Sequence, residues 1–243
     1  MYWIPTQTGP VQVEEPAIHL HHRSGVRRHK GWHRLPYLAL LKLGVKEDPT
    51  SPHAAYYHGR ELRFAGRCKE AVQELDRYLA LPSATWKEQR AAALRHIAQC
   101  HLTLAQPHEA QRAAYLGVLE VGNQREGWLT LSDISGKLRH WHIAYWAATK
   151  ALAIADSQPT CFGDSKAKIW RPHDTAAIAA FYAGFFDEAL KHGKEAAALN
   201  PNDERLRTNM RFYQQAPRRE RGFTALNSTS PGDGFSACRW GTR

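Results

Sequence analysis

Small residues recur at regular intervals along the middle of the chain, and this recurrence restricts the fold more than any other feature. In YYHGRELRFAGRCKEAVQEL, Gly59, Gly66 and Ala71 stand among aromatic and charged residues. Apolar residues at helical spacing around them predict two short helices, roughly over 53–65 and 68–80, with Gly66 in the turn between them. Small side chains on each helix would let the two pack closely. The stretch therefore predicts one helical hairpin.

The same pattern returns three times further along the chain. The anchor alanines of the four copies are 39, 34 and 45 residues apart and are Ala71, Ala110, Ala144 and Ala189. The small residues that pair with the last three anchors are Ala98, Ser132 and Ala177. Pro107 stands where the second helix of its copy would begin, a position that tolerates proline. Unequal spacings predict inserted loops near 82–86 and 157–172.

These copies resemble the tetratricopeptide repeat (TPR) family, whose units recur every 34 residues. The matching positions in the third and fourth copies, beside the anchors, are Trp128, Leu131, Gly184, Ala196 and Pro201. The first copy departs by placing His58 where the family prefers leucine, and the second has Ala105 in place of the turn glycine. The resemblance implies an all-α fold, a right-handed solenoid of about four helical hairpins.

Composition changes on both sides of the repeats predict three segments, 1–34, 35–216 and 217–243. The first contains the alternating PVQVEE, which allows a short strand or hairpin in an otherwise irregular segment. The last is rich in Gly, Ser, Thr and Arg without periodicity, so we expect a disordered basic tail.

Single helices are predicted at both ends of the repeats. LPYLALLKLGVKED is apolar at helical spacing and suits a leading helix. After Pro201, NDERLRTNMRFYQQ predicts a closing helix that Asn202 or Asp203 would cap. Its apolar residues would cover the open end of the stack and are Leu206, Met210 and Tyr213.

The net charge of +10 raises the question of a polyanionic partner. Residues 1–45 hold six Lys/Arg against two Glu, and 217–243 hold five Arg against two acidic residues, so the excess lies mainly at the ends. Because a folded nucleic-acid module concentrates charge on one face, we regard nucleic acid as an unfavoured partner.

Cysteine use and hydropathy bear on location. The four cysteines show no CxxC spacing, which favours reduced thiols in the cytoplasm over a disulfide framework. The N-terminus does not resemble a signal peptide, and no apolar run approaches membrane-spanning length, so we expect no membrane partner.

A second resemblance has more functional content. Five phrases occur in an order similar to that in the C-terminal repeat region of bacterial and phage-borne family-2 glycosyltransferases: LLKLGVKEDPTSPHAAYYHGREL, AVQELDRYLALPSATWKEQRAAALRHIAQC, REGWLTLSDI, HWHIAYWAATKALAI and DERLRTNM. The resemblance covers roughly 18–213. It implies a GT-A catalytic domain before the repeats, yet no two Asp are separated by one residue, as that domain's metal site needs. We therefore expect a fragment, a truncated reading frame or an accessory protein, with 1–34 as a remnant of the catalytic domain.

The most basic stretch is HLHHRSGVRRHKGWH, between His19 and His33. Five histidines suggest a metal site, but the stretch lacks the carboxylate or thiolate that zinc sites usually include, so no metal is predicted. Phosphate contact is the second interpretation, through Arg23, Arg27, Arg28 and Lys30. A solvated basic linker is the interpretation we favour.

The inner face of the repeats is the better candidate site, because the resemblance to TPR modules implies that first-helix side chains line a groove. The residues selected in this way are His53, Tyr56, Arg60, Arg63, Arg95, Gln99, Asp133 and Lys137. Three arginines on neighbouring helices would suit a carboxylate or an acidic peptide. An ordinary solvated arginine face is the alternative.

No nucleophile–base pair and no metal–carboxylate cluster emerges, so we predict neither catalytic residues nor a cofactor. The leading hypothesis is a non-catalytic repeat module that binds a protein or an acceptor and is associated with a family-2 glycosyltransferase. A stand-alone scaffold for peptides or proteins is the first alternative. Binding of nucleic acid or another polyanion through the basic ends is the second.

Overall fold

The computed structural model describes residues 2–6, 9–13, 34–154 and 170–216. Two antiparallel strands come first, β1 (Tyr2–Thr6) and β2 (Gly9–Val13), with Tyr2 opposite Val13 and Thr6 opposite Gly9. The two strands and the helices that follow Tyr37 belong to two separate units. The short β segment predicted near the N-terminus is therefore present.

Every other described element is a helix. In chain order they are α1 (Arg34–Glu47), α2 (Pro52–Phe64), α3 (Cys68–Ala80), α4 (Lys87–Thr103), α5 (Pro107–Glu120), α6 (Arg125–Lys137), α7 (Trp141–Ala153), α8 (Arg171–Tyr182), α9 (Phe186–Leu199) and α10 (Glu204–Gln215). Four hairpins, α2/α3, α4/α5, α6/α7 and α8/α9, stack in sequence order, and α10 packs against α9 at the end of the stack. The predicted all-α solenoid of about four repeats is confirmed.

Small residues produce the close packing inside each hairpin, as the spacing predicts. A Cβ atom on Gly59 would lie 2.6 Å from the Cγ atom of Leu75 on the facing helix, so any larger residue there would force the Leu75 side chain to shift. In the third hairpin the Ser132 hydroxyl donates to the Ala144 carbonyl at 2.6 Å, which joins the predicted small pair directly. The four anchor alanines are all fully buried.

The turn between the helices of each hairpin repeats one geometry. The residue after the C-cap has a positive φ in every hairpin: Gly66 (77°), Ala105 (55°), Arg139 (60°) and Gly184 (82°). In the first turn, Gly66 N–H donates to Arg63 O and Arg67 N–H donates to Leu62 O, both at 2.9 Å. Equivalent bonds close the other three turns. This is the Schellman arrangement, which satisfies the last carbonyls of a helix.

The connections and the ends follow the sequence pattern with one difference. Residues 82–86 lie in the connection between α3 and α4, as predicted. Most of 157–172 lies outside the described residues, but its last two residues, Arg171 and Pro172, begin α8 instead of ending a loop. The predicted cap of α10 is Asp203, whose carboxylate accepts from the N–H groups of Arg205 and Leu206. Predictions for 14–33 and 217–243 fall outside the described residues.

Candidate functional site

The first helices of the hairpins form the inner wall of the stack. Contacts join α2 to α4, α4 to α6 and α6 to α8, in addition to those within each hairpin. Among the described helices no comparable packing joins the second helices of successive hairpins. The stack is therefore tighter on the side of the first helices, and side chains there from neighbouring units lie close enough to act together.

A pocket of about 400 Å³ opens where three of these inner helices end. It brings together Arg63 from α2, Gln99 from α4 and Lys137 from α6, all of them selected from the sequence as candidate groove residues. The remaining lining residues are Gly66, Cys68, Leu102 and Thr103. The wall thus combines two cations, an amide and a hydroxyl with a small apolar area.

Aromatic rings and arginines alternate beside this pocket. The guanidinium of Arg63 lies 4.5 Å from the ring centroid of Phe64, and that of Arg60 lies 4.5 Å from Tyr57 and 6.0 Å from Phe64. Arg60 also donates to the Glu61 carboxylate at 2.9 Å. His53, at the start of α2, lies against Tyr57, with ring centroids 4.4 Å apart. These contacts hold the arginine side chains against the inner face.

Tyr56 and Arg95 differ in position from the other candidates. Tyr56 is 1% exposed and packs in the core against Tyr78, and burial raises its pKa to about 12. It is a core residue and not part of an open groove, because its position on α2 faces α3 and α4. Arg95 is 9% exposed, so little of it reaches the surface.

His96 is a residue of this region that sequence reasoning did not select. Its ring lies between Tyr56 and Phe64, with centroid distances of 6.2 and 5.9 Å. Burial, and then the charges of Arg63, Arg95 and Arg60, hold the pKa of His96 well below its ordinary value. The imidazole is therefore neutral at pH 7, and the positive charges of arginines from both α2 and α4 act on it. This arrangement depends on the packing of α2 against α4, which the sequence pattern does not reveal.

Asp133 does not stand in the groove as an isolated acid. The Arg171 guanidinium of α8 donates to the Asp133 carboxylate at 2.5 Å. A second ion pair follows along the stack, in which Arg205 of α10 donates two hydrogen bonds, of 2.8 and 3.0 Å, to the buried Asp174 of α8. Burial raises the pKa of Asp174, and the Arg205 charge opposes that shift. These ion pairs tie α6 to α8 and α8 to α10.

The described residues also include two cysteines, Cys68 and Cys100. Cys68 and Cys100 are free and buried, and burial chiefly raises the pKa of Cys100 to about 12, so its thiol is protonated. Within the described ranges, no group of three or more His, Cys, Asp or Glu side chains is placed to hold a metal ion. The phosphate candidates Arg23, Arg27, Arg28 and Lys30 lie outside those ranges. None of the described helices has both the length and the apolar character needed to cross a bilayer.

Stacked helical hairpins with left-handed turns and small residues at each crossing define a solenoid of the TPR type. Solved TPR structures superpose on it. MamA matches at 17% identity and a TM-score of 0.54, over 68% of this chain and 81% of that one. YrrB, described as a TPR protein with an unusual peptide-binding site, matches at 13% identity and a TM-score of 0.56, over 71% of this chain and 81% of that one. A tetratricopeptide repeat protein from Parabacteroides merdae matches at 16% identity and a TM-score of 0.57, over 74% of this chain and 65% of that one.

At these identities the likeness establishes the fold. No protein-family model matches the chain, and no curated protein matches it by sequence.

Proposed function

We propose that this protein is an interaction scaffold that binds an extended segment of a partner protein along the inner face of its first three hairpins. The observation that carries the proposal is the pocket to which α2, α4 and α6 each contribute a polar side chain, Arg63, Gln99 and Lys137. Binding across several repeats is how a solenoid obtains affinity from small contributions of each unit. YrrB supports this use of the fold, since it is described as having a peptide-binding site.

A peptide fits the dimensions better than a compact ligand does. Neighbouring inner helices pack at about 8–10 Å, so a ligand that spans α2 to α6 covers about 20 Å. About six residues of extended chain cover that distance. Polar groups in the wall can bond to a peptide backbone, while Leu102 and the exposed ring of Phe64 offer apolar contact.

Selection from a random twelve-residue peptide library displayed on phage, with the full chain immobilised, tests this proposal. Thr103→Trp would fill the pocket without changing its charge, and Gln73→Trp adds the same bulk to an exposed position on α3. We expect the selected peptides to bind the wild type and Gln73→Trp equally, and Thr103→Trp at least tenfold more weakly by fluorescence anisotropy. Equal binding to all three proteins would contradict the proposal.

On the order of the sequence phrases alone, we also propose that the partner is a bacterial or phage family-2 glycosyltransferase domain, or its acceptor, in the cytoplasm. Cross-linking in the source cells, capture with an antibody against 46–216 and mass spectrometry would identify the partner. A nucleotide-sugar transferase or its acceptor among the cross-linked peptides is the expected result. Cross-links only to proteins of other classes would show that the chain serves as a scaffold elsewhere.

A further inference from the structure

Two cysteine side chains from successive hairpins meet beside the pocket. Cys68 is the first residue of α3, and Cys100 lies near the end of α4. Both belong to one buried cluster, which also contains Leu62 and Ala71. A hydrogen bond joins their thiols. The two sulfur atoms are therefore direct neighbours across the boundary between the first and second hairpins, although nearly all of α3 and α4 separates them in the chain.

The two thiols differ in how a reagent can reach them. Cys100 is fully buried, whereas Cys68 is 7% exposed and forms part of the pocket wall. A water molecule takes about 30 Å³ of liquid volume, so a pocket of about 400 Å³ admits a molecule of the size of hydrogen peroxide. Cys68 also begins a helix, where backbone N–H groups favour an anionic sulfur. A small oxidant that enters the pocket therefore meets Cys68 first.

Buried cysteines have an ordinary structural explanation, because a thiol packs in a core as a small apolar group. That explanation suffices for Cys100 by itself, since burial chiefly raises the pKa of its thiol to about 12 and keeps it protonated. It does not account for a second thiol that is hydrogen-bonded to the first and lies on the wall of a pocket. A sulfur that a reagent can reach, with another thiol directly behind it, is the arrangement of an attacking and a resolving cysteine.

We infer that Cys68 and Cys100 form a reversible disulfide when a peroxide enters the pocket, with Cys68 as the attacking sulfur and Cys100 as the resolving one. The Cys68 thiolate attacks one oxygen of hydrogen peroxide, so an S–O bond forms and the O–O bond breaks. The second oxygen leaves as hydroxide and becomes water by taking up the proton that Cys68 lost. The Cys100 sulfur then attacks the Cys68 sulfur, so an S–S bond forms, the S–O bond breaks and the Cys100 proton leaves with the hydroxyl group as water. Two thiols have lost two electrons, and one peroxide has become two molecules of water.

This disulfide would join α3 to α4 covalently. Each unit of a solenoid is stabilised by its neighbours, so a covalent link between the first two hairpins strengthens the boundary beside the pocket. A disulfide also restricts the unfolded chain. The oxidised protein should therefore unfold at higher urea than the reduced protein. A dithiol reductant should reverse the change by thiol–disulfide exchange.

The full chain with Cys161→Ser and Cys238→Ser tests the inference, because Cys68 and Cys100 are then its only thiols. The protein is treated with hydrogen peroxide, catalase stops the reaction, and iodoacetamide in denaturant blocks the thiols that remain. Digestion without reduction and mass spectrometry should find a peptide pair linked through Cys68 and Cys100. Dithiothreitol should abolish the linked pair and return the urea midpoint to that of the reduced protein.

Two further variants of this two-thiol protein test the order of the steps. Cys100→Ala should leave Cys68 as a sulfenic acid, which dimedone traps, because no resolving thiol follows. Cys68→Ala should leave Cys100 reduced under the same treatment. Intact thiols in the two-thiol protein after prolonged exposure to peroxide would overturn the inference, and that result requires neither alanine variant to fold. Oxidation of Cys100 as fast in Cys68→Ala as in the two-thiol protein would overturn the assigned order. The reaction does not depend on peptide binding, so failure of the phage selection leaves it unaffected.

Discussion

Exchanges between alanine and glycine at the positive-φ position of the hairpin turns should change the stability of the protein in opposite directions. Ala105→Gly should stabilise the protein and Gly66→Ala should destabilise it, although both residues occupy equivalent positions. A side chain in the left-handed region costs about 1–2 kcal/mol. Glycine loses more conformational freedom on folding, which costs about 0.4–1 kcal/mol. The difference leaves about 0.5–1 kcal/mol for each exchange, with opposite signs.

Packing does not confuse this comparison. A Cβ atom built on Gly66 meets no heavy atom within 4 Å, so the substitution adds backbone strain and no collision. Ala105 is exposed, so the loss of its methyl group removes little buried area. Ala65 supplies the control, because it is exposed and adjacent to Gly66 but has a φ of −80°. Ala65→Gly should therefore destabilise the protein by about 0.5–1 kcal/mol.

Urea unfolding followed by circular dichroism at 222 nm would measure all three variants against the wild type. Stacked repeats can unfold in more than one step, so the comparison requires an unchanged m value across the set. Ala105→Gly should move the midpoint to higher urea, while Gly66→Ala and Ala65→Gly should move it to lower urea. If Ala105→Gly destabilised the protein as much as Ala65→Gly does, the argument from backbone strain would be refuted.

Three further predictions concern single side chains. Gly59→Ala should destabilise by about 1–3 kcal/mol in the same urea assay, because its Cβ would collide with Leu75; an unchanged midpoint would contradict the close approach. Asp174→Asn should cost about 2–3 kcal/mol, since it leaves the Arg205 charge without its carboxylate; a stability equal to the wild type would show that the pair contributes nothing. The lowered pKa of His96 means that the unfolded chain binds the proton first, so stability falls by up to about 1.4 kcal/mol per pH unit below about pH 6.5. His96→Gln should reduce that slope, and identical pH profiles would refute the assignment.

The sequence predicts the hairpins well because their determinants are local. Gly59 and Leu75 belong to one hairpin, and the turn at Gly66 depends on a few adjacent residues, so spacing alone indicates both contacts. Arg139 is different, because an arginine is not expected at a positive φ. The hairpin geometry places it there, and the pattern of small residues does not mark it.

Contacts between units are the part that the sequence does not predict. Arg171 falls in a predicted insertion, yet it begins α8 and holds Asp133 on α6. His96 has no motif around it, and its neighbours come from α2, more than thirty residues earlier. The repeat template places Tyr56 in the groove, but the packing of α2 against α3 and α4 buries its side chain. Such contacts depend on how one hairpin rotates against the next, and inserted loops of different length change that rotation.

The two ends of the inner face are therefore suited to different roles. From α6 onward, Asp133–Arg171 and Asp174–Arg205 join successive units, so substitutions there should act first on stability. At the pocket, Arg63 and Lys137 come from the first and third hairpins and line one wall, so a bound segment that contacts both would join units that do not follow each other directly in the stack. In a solenoid each unit stabilises only its neighbours. A ligand that bridges α2 and α6 would therefore add a longer-range link to the stack, and its binding should raise the stability of the first three hairpins together.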